Sequence, residues 1–151
     1  MDSEMILPKD SGAMREFETG AHRDAAKGKG RCDLLPLRQV ADVMQDPVLL
    51  CIAQFLEDQN PVHLKDALRE ASHMEIYQSL PNMMLEASKI YEAGAEKYGE
   101  NNWQKGMPLS CYIDSGVRHY LKTLRGDSDE PHYRGFVWNM LCALWTIENI
   151  S

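Results

Sequence analysis

Two clusters of acidic side chains offer the chemistry most easily read from this chain. In YEAGAEKYGENNW, Tyr91 to Trp103, a helix would put the carboxylates of Glu92 and Glu96 on one face, one turn apart. In GDSDEPH, Asp127, Asp129, Glu130 and His132 fall within six positions. Carboxylate oxygens are the donors that a hard cation such as Mg²⁺ or Mn²⁺ prefers, and clusters on separate helices of a bundle can hold such an ion between them. Each cluster also has a plainer reading. Acidic groups ahead of a helix cap its free N–H groups and favour its dipole, which accounts for Asp129 without a metal. Glu92 and Glu96 alone read as a solvated helix edge, paired with Lys89. Capping does not account for three carboxylates and a histidine together.

Groups suited to a flat, anionic ligand lie nearby in the chain. Trp103 and Tyr98 can stack on an aromatic base, and Asn101, Asn102 and Gln104 can hydrogen-bond its edge. The alternative is a packed loop with a capping asparagine. Arg118, Lys122 and Arg125 fall along one side of a helix, facing either phosphates or water. Between Ala21 and Arg31 the chain carries Arg23, Lys27, Lys29 and Arg31 against Asp24 alone, interleaved with Gly28 and Gly30. Glycine lets backbone N–H groups approach phosphate oxygens, although the GxxxxGK[ST] spacing is absent. A basic arm with no bound ligand is the competing reading.

The elements that must position these groups are helical. Residues 1 to about 35 form an irregular leader holding four of the glycines, and residues 36–151 form the helical body, one domain overall. Asp46-Pro47 starts a helix with Leu49, Leu50, Ala53 and Leu56 at helical spacing, and Asn60-Pro61 separates it from a second that runs to about Ser72. A third begins near Leu80-Pro81 and ends at Gly99, a fourth spans about 109–124, and a fifth about 129–148. The fifth is apolar on nearly every side between Phe136 and Ile147, so it is expected to be surrounded by protein. Its exceptions, Asn139 and Thr146, continue a heptad stripe from His132, and Gly135 beside the stripe leaves room for a close neighbour. That stripe is satisfied either by a neighbouring helix or by a ligand in a cleft. No strand pair or repeat is evident, and the expected fold is an all-α bundle of about five helices.

Composition excludes other classes. The 151 residues are 44% hydrophobic and 26% charged, as in a globular domain, and the net charge of −7 argues against nucleic acid as a partner. The four cysteines sit singly, without zinc-finger spacing, and read as reduced thiols. Neither a signal-peptide core nor a membrane-spanning run is present in the sequence, so the expected location is the cytoplasm.

The ordered blocks FETGAHRD (17–24), GKGRCDLLP (28–36), YEAGAEKYGENNWQKG (91–106), DSGVRHYLK (114–122) and DEPHYRGFVWN (129–139) resemble the phage dATP/dGTP diphosphohydrolase (MazZ) family. The resemblance covers both ends of the chain and leaves about 40–80 unmatched. That family is similar to the all-α, MazG-like nucleoside triphosphate pyrophosphohydrolases. The resemblance implies Mg²⁺- or Mn²⁺-dependent cleavage of dGTP or dATP between the α and β phosphates, in the host cytoplasm if the chain is phage-encoded. It further implies a supply of dGMP for 2-aminoadenine (Z-genome) synthesis, depletion of the normal purine pool, and a homodimer or homotetramer.

Carried onto this sequence, the implied catalytic groups are Glu92, Glu130 and His132, and the metal ligands Glu92, Glu96, Asp129 and Glu130. Substrate contacts would come from Arg23, Lys29, Arg31, Lys97, Asn102, Trp103, Lys105, Arg118, His119 and Asn139. The pattern departs from MazG-like enzymes, which carry ExxE and ExxD. Here the first motif is ExxxE, and His132 and Gly135 stand where an ExxD is expected. That departure permits a catalytically inactive nucleotide-binding regulator, and the basic leader separately permits a helical module that docks on nucleic acid, against the acidic total charge.

Overall fold

The computed structural model describes residues 28–150, together with the backbone of two short leader segments, Met14–Glu16 (β1) and His22–Asp24 (β2). The body is all-α. Six helices follow one another: α1 Leu37–Met44, α2 Pro47–Asp58, α3 Val62–Ala71, α4 Leu80–Tyr98, α5 Leu109–Arg125 and α6 His132–Asn149. Short 3₁₀ turns at Cys32–Leu34 and Asn102–Lys105 precede α1 and α5. The five expected helices are all present, and α1 adds a sixth. The β1–β2 pair, antiparallel with Arg15 opposite Arg23, was not expected. Three-residue strands are too short to display an alternating pattern.

Local chemistry sets several of the boundaries. Asp46 Oδ1 accepts the Leu49 N–H at 2.9 Å and Pro47 supplies a preset φ, so α2 starts there. Ser79 does the same for α4, accepting from Asn82 N at 3.2 Å. Gly126, at φ +89°, closes α5 by donating to the carbonyls of Lys122 and Thr123. The last helix begins at His132 rather than Asp129. Helical geometry is disfavoured for the residue before a proline, so Glu130 ahead of Pro131 stays outside the helix.

The core is built around α6, which packs against α3, α4 and α5 as its all-round apolar sequence requires. Phe136, Val137, Met140 and Ala143 of α6 are buried with Tyr112, Ile113, Val117 and Tyr120 of α5, Met83 and Ala87 of α4, and Leu49, Ile52 and Phe55 of α2. Burying each of the larger side chains contributes roughly 1.5–3 kcal/mol. The α5–α6 pairing is antiparallel, since Gly116 lies against Asn139 and Met140 while His119 lies against Gly135. No helix among the described residues is long and apolar enough to cross a membrane.

A candidate metal centre between two helices

The close approach of α5 and α6 depends on Gly135. A Cβ there would lie 2.5 Å from His119 Cδ2 and 2.8 Å from its Nε2, so only glycine leaves space for the His119 ring. The close neighbour for which the sequence left room is therefore an imidazole. It reaches across to His132, the first residue of α6, with the two Nδ1 atoms 2.9 Å apart. Glu130, held outside the helix, turns its carboxylate toward the same point, with Oε1 3.4 Å from His132 Nδ1 and 3.8 Å from His119 Nδ1. All three side chains are at most 9% exposed.

These separations suit one cation. Donors about 2.1 Å from a metal lie about 3.0 Å apart at a right angle and about 3.4 Å apart at the tetrahedral angle. The observed triangle of 2.9, 3.4 and 3.8 Å brackets those values. His119, Glu130 and His132 thus form one group of donors able to hold a metal ion; Asp127, Asp129 and His132 form a second, more exposed one.

The neighbours of each group differ. Asp129 accepts from His132 Nε2 at 2.7 Å, and this bond holds its carboxyl below the usual carboxylate range. Asp127 accepts from Nε and Nη2 of Arg125, at 2.7 and 2.5 Å. Behind the site, Glu86 of α4 accepts from Arg134 Nε at 2.6 Å, Tyr133 Oη at 2.9 Å and Lys89 Nζ at 3.2 Å. Burial alone would raise the Glu86 carboxyl, but the hydrogen bonds from Arg134, Tyr133 and Lys89 outweigh it and hold it low. Glu86 thereby ties α4 to the first turn of α6.

The other residues singled out in the sequence are distributed as follows. Glu92, Glu96 and Lys97 are exposed on α4, and neither glutamate belongs to a donor group among the described residues. Lys97 Nζ lies 5.2 Å from the centre of the Tyr98 ring. Trp103 packs edge-on against Tyr91 and Trp145, with ring centres 5.2 and 5.0 Å away. Asn102 beside it is buried, and its Oδ1 has no hydrogen-bond partner among the described residues. Lys105 is exposed at the end of the same turn. Asn139 is satisfied within the protein, donating to Gly135 O at 2.7 Å and Ser115 Oγ at 3.3 Å.

Arg118 bonds to Asp114 at 2.6 Å and to the carbonyl of Gly30 at 2.8 Å. Asp114 in turn accepts the Cys32 N–H at 2.6 Å. This pair clamps the chain around Gly30 and Cys32 onto α5, leaving Lys29 exposed and Arg31 paired with Asp33 at 2.7 and 2.8 Å. The Arg23 side chain lies outside the described residues, as does most of the FETGAHRD block. Sequence reading passed over Asp114 and Glu86. The i,i+4 spacing of Asp114 and Arg118 was a usable signal for the first, whereas nothing local marks Glu86.

A family model described as dATP/dGTP diphosphohydrolase, N-terminal, matches residues 65–150. The match takes in most of α3 and all of α4, α5 and α6, and it includes His119, Glu130 and His132. The leader blocks at 17–24 and 28–36 lie outside it. No curated protein and no solved structure matches the chain.

Proposed function

The chain belongs to the dATP/dGTP diphosphohydrolase family, and from that premise we propose that it hydrolyses dGTP or dATP between the α and β phosphates, releasing the monophosphate and pyrophosphate. The observation that carries this reading is the family match over the segment that contains the His119–Glu130–His132 group. A divalent cation bound there would draw charge from the phosphate oxygens and lower the pKa of an attacking water. His119, Glu130 and His132 would hold that cation, with Gly135 leaving room for the His119 ring and Asp129 hydrogen-bonded to the His132 ring.

Water adds to one phosphorus of the α–β anhydride as the bridging oxygen leaves with the other, and one proton is released. Lys29 and Arg31 are suited to neutralise charge on the departing pyrophosphate. Their segment is clamped by Arg118 to the same helix that carries His119. Asn102 is suited to read the purine edge, because a buried acceptor without a partner among the described residues is the feature a base N–H would satisfy. Trp103 holds that turn against α4 and α6. The cellular role that fits is supply of dGMP for 2-aminoadenine synthesis in a phage-infected cell, with removal of normal purine triphosphates, by a homo-oligomeric enzyme.

The test is to incubate the purified chain with dGTP and, separately, dATP in the presence of Mg²⁺ or Mn²⁺ and follow the products by phosphorus NMR. Monophosphate and pyrophosphate in equal amounts are expected. Diphosphate with inorganic phosphate, intact triphosphate released from the nucleoside, or no turnover with either cation would each overturn the proposal.

A further inference from the structure

His132 touches both donor groups, but a neutral imidazole has only one lone pair. Its Nε2 lies 2.7 Å from Asp129, and an ionised carboxylate only accepts, so the hydrogen of the ring sits on Nε2. The lone pair is then on Nδ1, which faces His119 Nδ1 at 2.9 Å and Glu130 Oε1 at 3.4 Å. This is the arrangement in which a carboxylate orients a metal-binding histidine from behind and raises its basicity. Solvent exposure agrees: the Asp129 side chain is 42% exposed, against 2% for His132 and 9% for Glu130. Asp127, the remaining member of the outer group, is already bound to Arg125 through both oxygens.

We propose that His119, Glu130 and His132 are the ligands of a site for a first-row transition cation such as Zn²⁺, bound in preference to Mg²⁺, and that Asp129 is a positioning residue that acts through His132. The donor chemistry carries the selectivity. Two imidazole nitrogens and one carboxylate form a set that suits Zn²⁺ and its neighbours, whereas Mg²⁺ demands oxygen donors and keeps most of its water. The glycine at 135 is the second, independent sign of a dedicated site, since it admits the His119 ring to a position that any side chain on α6 would block. Three protein donors leave a coordination position for water or a phosphate oxygen. The inference rests on the proposed centre for its location, but on binding rather than turnover for its test.

The experiment is equilibrium dialysis of the full chain, stripped of metal, against Zn²⁺ in a large excess of Mg²⁺, followed by loading with Co²⁺ and recording its visible and paramagnetic proton spectra. One Zn²⁺ per chain is expected to remain bound, and the Co²⁺ form is expected to show ring signals from two histidines in the unsubstituted protein. Glu130→Gln and His132→Gln should lose the Co²⁺ spectrum. Asp129→Ala should keep the spectrum but weaken Zn²⁺ binding by about 10–100-fold, and Asp127→Asn should leave both unchanged. Displacement of Zn²⁺ by Mg²⁺, or fewer than two histidine signals, would overturn the proposal without reference to any variant's folding. Loss of the Co²⁺ spectrum in Asp129→Ala would make Asp129 a ligand, and weakening by Asp127→Asn would move the site to the outer group; either defeats it. Nucleotide cleavage supported by Mg²⁺ alone alongside failed Zn²⁺ retention would sink this inference and leave the proposed reaction standing.

Discussion

At the α5–α6 junction, His119, Glu130 and His132 come from two helices and the turn between them, are nearly sealed from solvent, and point their donor atoms at one another. Along the last two turns of α4, Glu92, Glu96 and Lys97 come from one helix and are exposed, and neither glutamate belongs to a donor group among the described residues. Both regions contain acidic side chains close together in the sequence. The difference shows that spacing on one helix fixes which way charges face, while a site requires a second element close enough to complete it. Between α5 and α6 that closeness comes from Gly135; a Cβ added at Gly94 of α4 would meet no neighbour within 4 Å among the described residues.

The comparison is broken most directly by exchanging one carboxylate in each region. Glu130→Gln should lower dGTP or dATP turnover by about a hundredfold or more, since it removes a charged donor from a nearly dry site. Glu92→Gln should leave rates close to those of the unsubstituted chain. Steady-state kinetics on both, with circular dichroism to verify the fold, decides the matter; equal losses would mean that α4 takes part in the chemistry after all.

The two glycines sharpen the contrast in stability. Gly135→Ala forces a methyl group into the His119 ring and should cost about 1–3 kcal/mol in urea unfolding. Gly94→Ala has open space around the new methyl on a helix and should stabilise by about 0.5–1 kcal/mol. A neutral Gly135→Ala would show that the helices separate easily at the candidate centre.

Glu86 links the two regions, joining α4 to Tyr133 and Arg134 of α6, and Glu86→Gln should cost about 1.5–3 kcal/mol near neutral pH. Its carboxyl is held low in the folded protein, so its contribution is fully present above the ordinary glutamate value and is lost as pH falls through the depressed one. The stability gap between Glu86→Gln and the unsubstituted chain should therefore narrow between about pH 6 and about pH 3. A gap that is constant over that range would remove the ionic part of the link.

Helix positions were legible because apolar periodicity and proline-based starts act over a few residues, as at Asp46-Pro47 and Leu80-Pro81. The short helix α1 was not marked out, since eight residues hold too few turns for the pattern to stand clear of the leader. At the site, the acidic turn before His132 and the room beside Gly135 could be read from residue types. The partner filling that room could not, because His119 lies thirteen residues before His132 and on another helix.

The amino-acid sequence by itself determined the all-α class, the apolar envelope of α6, the family blocks and the presence of oxygen and nitrogen donors around residue 130. Those follow from local propensity, period and side-chain chemistry, which neighbours in the chain already contain. Tertiary structure alone decided that Arg118 clamps the leader backbone, that Trp103 packs against Tyr91 and Trp145, and that His119 joins Glu130 and His132. Each of these depends on how closely two helices approach and in what register, a sum of packing across the whole core that no short stretch of sequence carries.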